Sequence, residues 1–506
     1  MPEDKKDQQH RSYRRPAGGS RKPSTASKRV TDSIGTVGGS YVRDDRKFGF
    51  DENGMHIPTG NSEILLSRRQ LLFGAAGLAG IAAIGGAATA IGGMSDGGSD
   101  IASLAVGESD VFTLDDCAEV PTKDVMTLLG EYKLPYGSLV WASCDTVAAC
   151  LKPTDKASPL VTASLLSITG GYEGTVLSAA DGKDEGFEIY DMRASDEGAI
   201  WTEANILTGD WRVYVALISM MELQEHHKVD EGNAGTEMPT IAAIGTNAFW
   251  QVVPVEPPAD AENPDEGETN VRMVAFGKPD DVKTIFTAPG RCETALAPAN
   301  TEQGVVVTRR HPDARSYRQM MLIGPDGAEM DSITFPSRMV PMETSYGSSG
   351  FAFSFDSIYN YGDGIANLGT YTPQEKPDAG QYSHRSWFRF ARTPSMPPSW
   401  CDGWLMVKST SAVVGIDLQS KRYTVFPTDN NAEAYGDCLA SVGDNGTVVL
   451  FTNIDRTAAV QDSEKVSEDD KLCLVRVYTT KENAGNIGSG DEVEDESEYW
   501  DEEYYE

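Results

Sequence analysis

The chain has 506 residues, 77 acidic against 43 basic, and a formal net charge of −34. That balance excludes a nucleic-acid or anionic-lipid binder that works through its overall charge, because phosphate contacts require Lys and Arg. With 40% hydrophobic residues the chain can bury a sizeable core, and its length allows one large domain with tails.

Residues 1–66 open the chain with a basic, polar region. Arg11 to Arg29 holds seven basic residues with Pro, Gly and Ser and no acid, a composition that predicts disorder. A solvated tail accounts for it better than RNA binding does.

Residues 67–94 form the second segment. Ser67-Arg68-Arg69-Gln70-Leu71-Leu72-Phe73 precedes a stretch with no charged residue until Asp96. Paired arginines before such a run resemble a twin-arginine (Tat) export signal of actinobacterial type, with Phe73 in place of the frequent Lys. The resemblance implies that Arg68 and Arg69 are read by the Tat translocation machinery and that the cargo crosses the membrane already folded. Leu71 to Met94 is long enough to span a bilayer as an apolar helix, but its seven glycines make it weakly hydrophobic. Ala88-Thr89-Ala90 offers a cleavage site after Ala90. The mature part is therefore expected outside the cytoplasm, in the envelope or secreted, anchored by 71–94 if uncleaved. Charge agrees: the net is +5 over residues 1–69 and −39 beyond, the positive-inside arrangement.

A linker is expected over 95–119 and the folded domain over 120–482. Short β-branched and aromatic runs alternate there with Gly, Asn, Asp and Pro, which predicts an all-β domain. A paired unit recurs at 139–151, 189–201, 241–250, 293–308, 344–355, 404–415 and 438–451, mostly about fifty residues apart. Third strands follow at 211–217, 318–323, 387–390 and 472–478. Radial repetition of four-stranded sheets is a β-propeller. The count is seven blades, or six or eight if one repeat is misread. Asp444-Asn445-Gly446 and Asp326-Gly327 are assigned to tight hairpins. The isolated strand Asp124–Leu134 is expected to complete the last blade. Residues 483–506 form an acidic tail, expected to be disordered, that interleaves Tyr499, Trp500, Tyr504 and Tyr505 with acids.

No nucleophile elbow, phosphate loop or dinucleotide fingerprint follows any strand, and no cofactor is implied. Arg310-His311 and His384-Arg385 fall where loops should emerge, and Arg beside His suits an anionic ligand. His226-His227 is the only histidine pair. Carboxylates stand beside it, but no third ligand is suitably spaced, so no metal site is assigned. The pair is placed on an exposed hairpin tip. Asp196-Glu197-Gly198-Ala199-Ile200-Trp201 resembles the Asp-box turn of sialidase-type propellers, which implies a folding element on the rim. Seven cysteines show no metal-site spacing and leave at least one unpaired within the chain, and several alternate with Ala and Val inside strands as small core residues do. Two functions remain: a non-catalytic exported propeller that binds an envelope protein or glycan, or a propeller enzyme, hydrolase or lyase, acting on glycans.

Overall fold

The computed structural model describes residues 40–43, 46–51, 54–59, 62–67, 101–156, 158–257, 266–359, 364–457 and 470–487. Arg68, Arg69, the apolar run 71–94 with its cleavage site after Ala90, and the acidic tail beyond 487 lie outside the described residues. No helix among the described residues is long and apolar enough to cross a membrane.

Two units are present. In the first, Ser40–Arg43, Arg46–Asp51, Gly54–Thr59 and Ser62–Ser67 form an antiparallel meander. These strands lie within the span 1–66 expected to be disordered, of which residues 1–39 lie outside the described residues. Phe48 and Phe50, and Met55 and Ile57, alternate with other residues as strand patterning requires.

The second unit is a β-propeller. Six blades are local meanders: blade 1 over 139–177, blade 2 over 188–232, blade 3 over 240–289, blade 4 over 297–334, blade 5 over 343–390 and blade 6 over 399–425. A composite sheet closes the ring. It joins Cys438–Leu439, Thr447–Asp455 and Lys471–Thr480 to Met126–Pro135 from the other end of the domain. Met126–Pro135 runs antiparallel to Lys471–Thr480, so the isolated N-terminal strand completes the last sheet as its sequence position suggests.

Apolar clusters bridge each sheet to the next. Trp211 and Trp250 join blades 2 and 3, Phe249 and Met321 blades 3 and 4, and Met320 and Phe353 blades 4 and 5. Phe388 and Leu405 join blades 5 and 6, and Met406 and Leu450 join blade 6 to the closing sheet. A larger cluster containing Val475, Leu165 and Trp201 unites the closing sheet with blades 1 and 2. Both faces of the inner and second strands are thus largely dry, which is why strands such as Asn247–Val252 and Gly350–Phe355 are buried almost throughout.

Three strand assignments change. The inner strand of blade 6 is Ser399–Cys401, so 404–415 supplies its second and third strands instead of its first two. Pro397 and Pro398 make that inner strand look like a loop. Trp387–Phe390 is the outer strand of blade 5, not its third. Asp444–Asn445 is not a hairpin turn but pairs in parallel with Ser399–Cys401, and Gly443 takes the positive φ of 72°. Gly327, at φ 82°, does make the expected tight turn.

The stretch 101–125 is a belt around the outer strands, its residues 101–119 falling in the expected linker 95–119. Leu104 donates its amide to Thr334 of blade 4 at 2.7 Å. Val111–Phe112 pairs in parallel with Trp387–Phe388 of blade 5, and Ala118–Glu119 with Arg422–Tyr423 of blade 6. The belt then enters Met126–Pro135 in the closing sheet. Covering sheet edges removes templates for unwanted pairing.

Candidate functional site

The connections of an antiparallel meander alternate between its ends, so the ring has two faces. On the upper face the chain enters each inner strand and second strands turn into third strands. On the lower face lie the inner-to-second and third-to-outer turns.

The lower face is knotted near its centre. Asn300, on the first turn of blade 4, donates to Asp444 O and Asn445 Oδ1, each at 2.7 Å, and accepts the Asp444 amide at 2.7 Å. Asp444 also accepts from Ser348 of blade 5. Asp145 of blade 1 accepts from Gly446 N at 3.0 Å and Thr447 Oγ1 at 2.8 Å. Burial, with Asp402 and Asp145 nearby, raises the Asp444 pKa. These carboxylates are occupied in tying blades together, which is a structural role.

The upper face carries a ring of buried polar residues that composition alone does not reveal. Each is a buried residue in the later part of a second strand, roughly fifty residues from the next: Glu203, Gln251, Thr308, Ser354, Lys408 and Asn453. Glu203 accepts the amides of Asp181 at 2.6 Å and Gly182 at 2.9 Å. Gln251 donates to Thr294 O, Lys408 to Tyr435 O, and Asn453 accepts from Gly137 N. Each bond fastens a connection between sheets and satisfies a backbone group that would otherwise be buried unpaired. Ser354 differs, because its hydroxyl donates to the carboxylate of Glu343 at 3.1 Å. Glu343 begins the inner strand of blade 5, and burial pushes its pKa up to about 7.

The upper face of blade 4 gathers cations. Its second strand Gly304–His311 and third strand Ala314–Ile323 bring Arg309, Arg310, Arg315 and Arg318 to one hairpin. Arg310 and Arg318 are directly opposed across the strands. Between them stands Glu293, from the connection out of blade 3, 2.6 Å from Arg318 Nε and 3.7 Å from Arg310 Nε. Arg309 donates to Gln319 Oε1 at 2.9 Å. Arg338, on the next connection, is exposed and hydrogen-bonds through its amide to Ser316 O. His311 Nδ1 accepts the Asp313 amide at 3.2 Å, which closes the turn. Four arginines and one aspartate within 304–318 make this the basic corner of an acidic chain.

The other sequence candidates lie apart. His384 and Arg385 sit on the third-to-outer connection of blade 5, at the lower end, where the His384 amide donates to Ala105 O of the belt at 2.9 Å. They do not join Arg310 and His311. Lys228 to Gly232 is not a hairpin tip: His227–Gly232 is the outer strand of blade 2. His226 approaches Asp181 at 3.3 Å and meets the Trp201 ring edge-on at 5.0 Å. Among the described residues no cluster of three or more His, Cys, Asp or Glu could hold a metal ion. In the Asp-box-like turn Ser195, rather than Asp196, does the bonding, donating to Gly245 O of blade 3 at 2.7 Å. Cys150, Cys292, Cys401 and Cys473 are buried, and Cys117, Cys144 and Cys438 are partly so.

No protein-family model matches this chain, and no curated protein matches it. Solved structures similar in fold include a prolyl endopeptidase at 10% identity, covering 68% of this chain and 46% of that one, TM-score 0.42. An oligogalacturonate lyase in complex with manganese is 10% identical over 71% of this chain and 94% of its own, TM-score 0.40. The β-propeller domain of the Trilobed protease from Pyrococcus furiosus is 10% identical over 64% and 91%, TM-score 0.35. The chain spans less than half of the prolyl endopeptidase. At these identities the likeness concerns the fold and carries no chemistry across.

Proposed function

We propose that this chain is an extracytoplasmic propeller of seven blades, the closing sheet being the seventh, that recognises an anionic ligand at the basic corner of blade 4. The observation that carries the reading is the opposition of Arg310 and Arg318 around Glu293 on a chain of net charge −34. Guanidinium groups recognise carboxylates and phosphates through paired N–H donors. An acidic oligosaccharide of the cell envelope suits an exported protein. The test is calorimetric titration with a uronic-acid oligosaccharide against a neutral one of equal length. Arg310→Gln is expected to weaken binding of the acidic ligand at least tenfold, and equal binding of the two sugars would reject the reading.

A catalytic second reading is favoured by Glu343. It lies on the same face in the adjacent blade, and a carboxyl that titrates near neutrality can exchange protons at working pH. Glycan cleavage by hydrolysis or elimination would use it as general acid or base. Product formation that disappears in Glu343→Gln with binding retained would establish this role, and turnover unchanged in that variant would discard it.

Export rests on Arg68 and Arg69. Replacing both by Lys should hold the protein in the cytoplasm, and normal export of that variant would remove the Tat assignment.

A further inference from the structure

The belt shows how this protein receives an extended segment on its rim. Val111–Phe112 adds in parallel to the start of the outer strand of blade 5, Trp387–Phe390. Phe112 is buried in the slot between that strand and the third-to-outer turn of blade 6. Its ring lies 5.4 Å from Phe388, and the Lys421 ammonium sits 4.4 Å from its centre. Strand addition supplies main-chain hydrogen bonds, and the slot selects one large apolar side chain.

The same juxtaposition recurs between blades 3 and 4. The start of the outer strand of blade 3, Lys283–Pro289, faces the third-to-outer turn of blade 4 at Pro325, Asp326 and Gly327. The two touch where Gly327 rests against the Ile285 carbonyl, and a hollow of about 690 Å³, lined also by Thr284 and Ile285, opens beside that contact. Among the described residues Lys283–Pro289 pairs on one side only, with Glu268–Ala275. Val282 and Met330, 37% and 39% exposed, flank the hollow in sequence. The surroundings are acidic: residues 278–285 and 324–330 together contain Asp280, Asp281, Asp326 and Glu329 against Lys278 and Lys283. Asp281 is paired with Lys283 at 3.1 Å.

We infer that this slot docks an extended peptide of a partner protein, one large apolar residue flanked by basic ones, added in parallel at the start of the strand, Lys283 and Thr284, as the belt is at Trp387 and Phe388. The belt at Phe112 supplies the binding mode and the local carboxylates supply the charge preference. The chain's own tail from Asp491 to Glu506 has aromatic residues, but its acids would meet acids there.

The test uses the full chain and a synthetic peptide with a Val-Phe-Thr core between lysines, read by fluorescence anisotropy and hydrogen exchange. Binding is expected to protect the amides at Lys283 and Thr284. An otherwise identical peptide flanked by glutamates should bind at least tenfold more weakly, as should the lysine peptide to Thr284→Lys, a change at an exposed position. Absence of binding, equal affinity for the two peptides, or protection elsewhere on the ring would overturn the inference. So would protection of Lys283 and Thr284 in the unliganded chain that is lost when residues 488–506 are deleted, because the tail would then be the occupant.

Discussion

Arg310 and Arg318 face each other across the second and third strands of blade 4, with the carboxylate of Glu293 reaching both, at 3.7 and 2.6 Å. Like charges directly opposed across a sheet repel, so the pair is tolerable because a carboxylate from a neighbouring connection stands between them. Arg318 is only 10% exposed, and its attraction to Glu293 is weakly screened.

Removing that carboxylate should therefore do two things. Glu293→Gln is expected to destabilise the domain by about 1–3 kcal/mol, in the range for losing a charge-assisted bond to a buried partner. It should also make the domain more strongly stabilised by added phosphate, because two guanidinium groups gain an acceptor. Thermal melts in chloride and phosphate check both. A variant with no greater phosphate response than wild type would contradict the electrostatic account.

Closure by Met126–Pro135 gives a second expectation. Without it, Lys471–Thr480 becomes an open edge on an apolar sheet, and Val475 and Val477 lose a covering strand. A chain lacking 126–135 should aggregate during refolding, while one lacking only residues 1–100 should remain monomeric. Size-exclusion chromatography with light scattering distinguishes the two outcomes.

The belt should yield before the ring does. Its pairings at blades 5 and 6 are two residues long, whereas the closing strand spans ten. Phe112→Ala empties the slot between blades 5 and 6 and should expose 101–119 to limited proteolysis at temperatures where the ring remains folded. The local cost is about 3–5 kcal/mol, the usual figure for a buried Phe. Cleavage beginning inside the blades instead would show that belt and ring unfold together.

Glu343 makes stability depend on pH. Its folded pKa of about 7 lies above the ordinary carboxyl value because burial disfavours the charge. The neutral form is favoured in the fold, so this contribution is full below about pH 4.3 and is lost as pH rises through about 7. Glu343→Gln should remove that loss and be more stable than wild type at pH 8 by about 1–3 kcal/mol, with little difference at pH 4. Denaturant titrations at the two pH values check the sign.

Much of the ring is legible in the sequence because each blade repeats a local pattern. Pairs such as Ile189–Trp201 and Ile241–Trp250 place a strand, a tight turn and an apolar strand together, and local spacing suffices to find them. Blade 6 is harder to read, because Ser399-Trp400-Cys401 is three residues long behind two prolines. The belt is also hard to read, because its strands are two residues long and gain order only from the edges they cover. Arg310 was visible as a candidate from its neighbours. Its partners Glu293 and Arg318 were not, because one comes from another connection and the other from across the strand pair.

The sequence by itself determined the all-β class, the repeat, the strand that closes the ring and the acidity of the folded part, because alternation, turn residues and charge are properties of contiguous chain. Only the tertiary structure decided which charges meet. It separated His384 from His311 onto opposite faces, assigned Asp444 and Asn300 to a knot on the lower face, and set Arg318 against Arg310. Those outcomes depend on strand register and on the order of blades around the ring, and a shift of one residue would turn each side chain to the other face of its sheet.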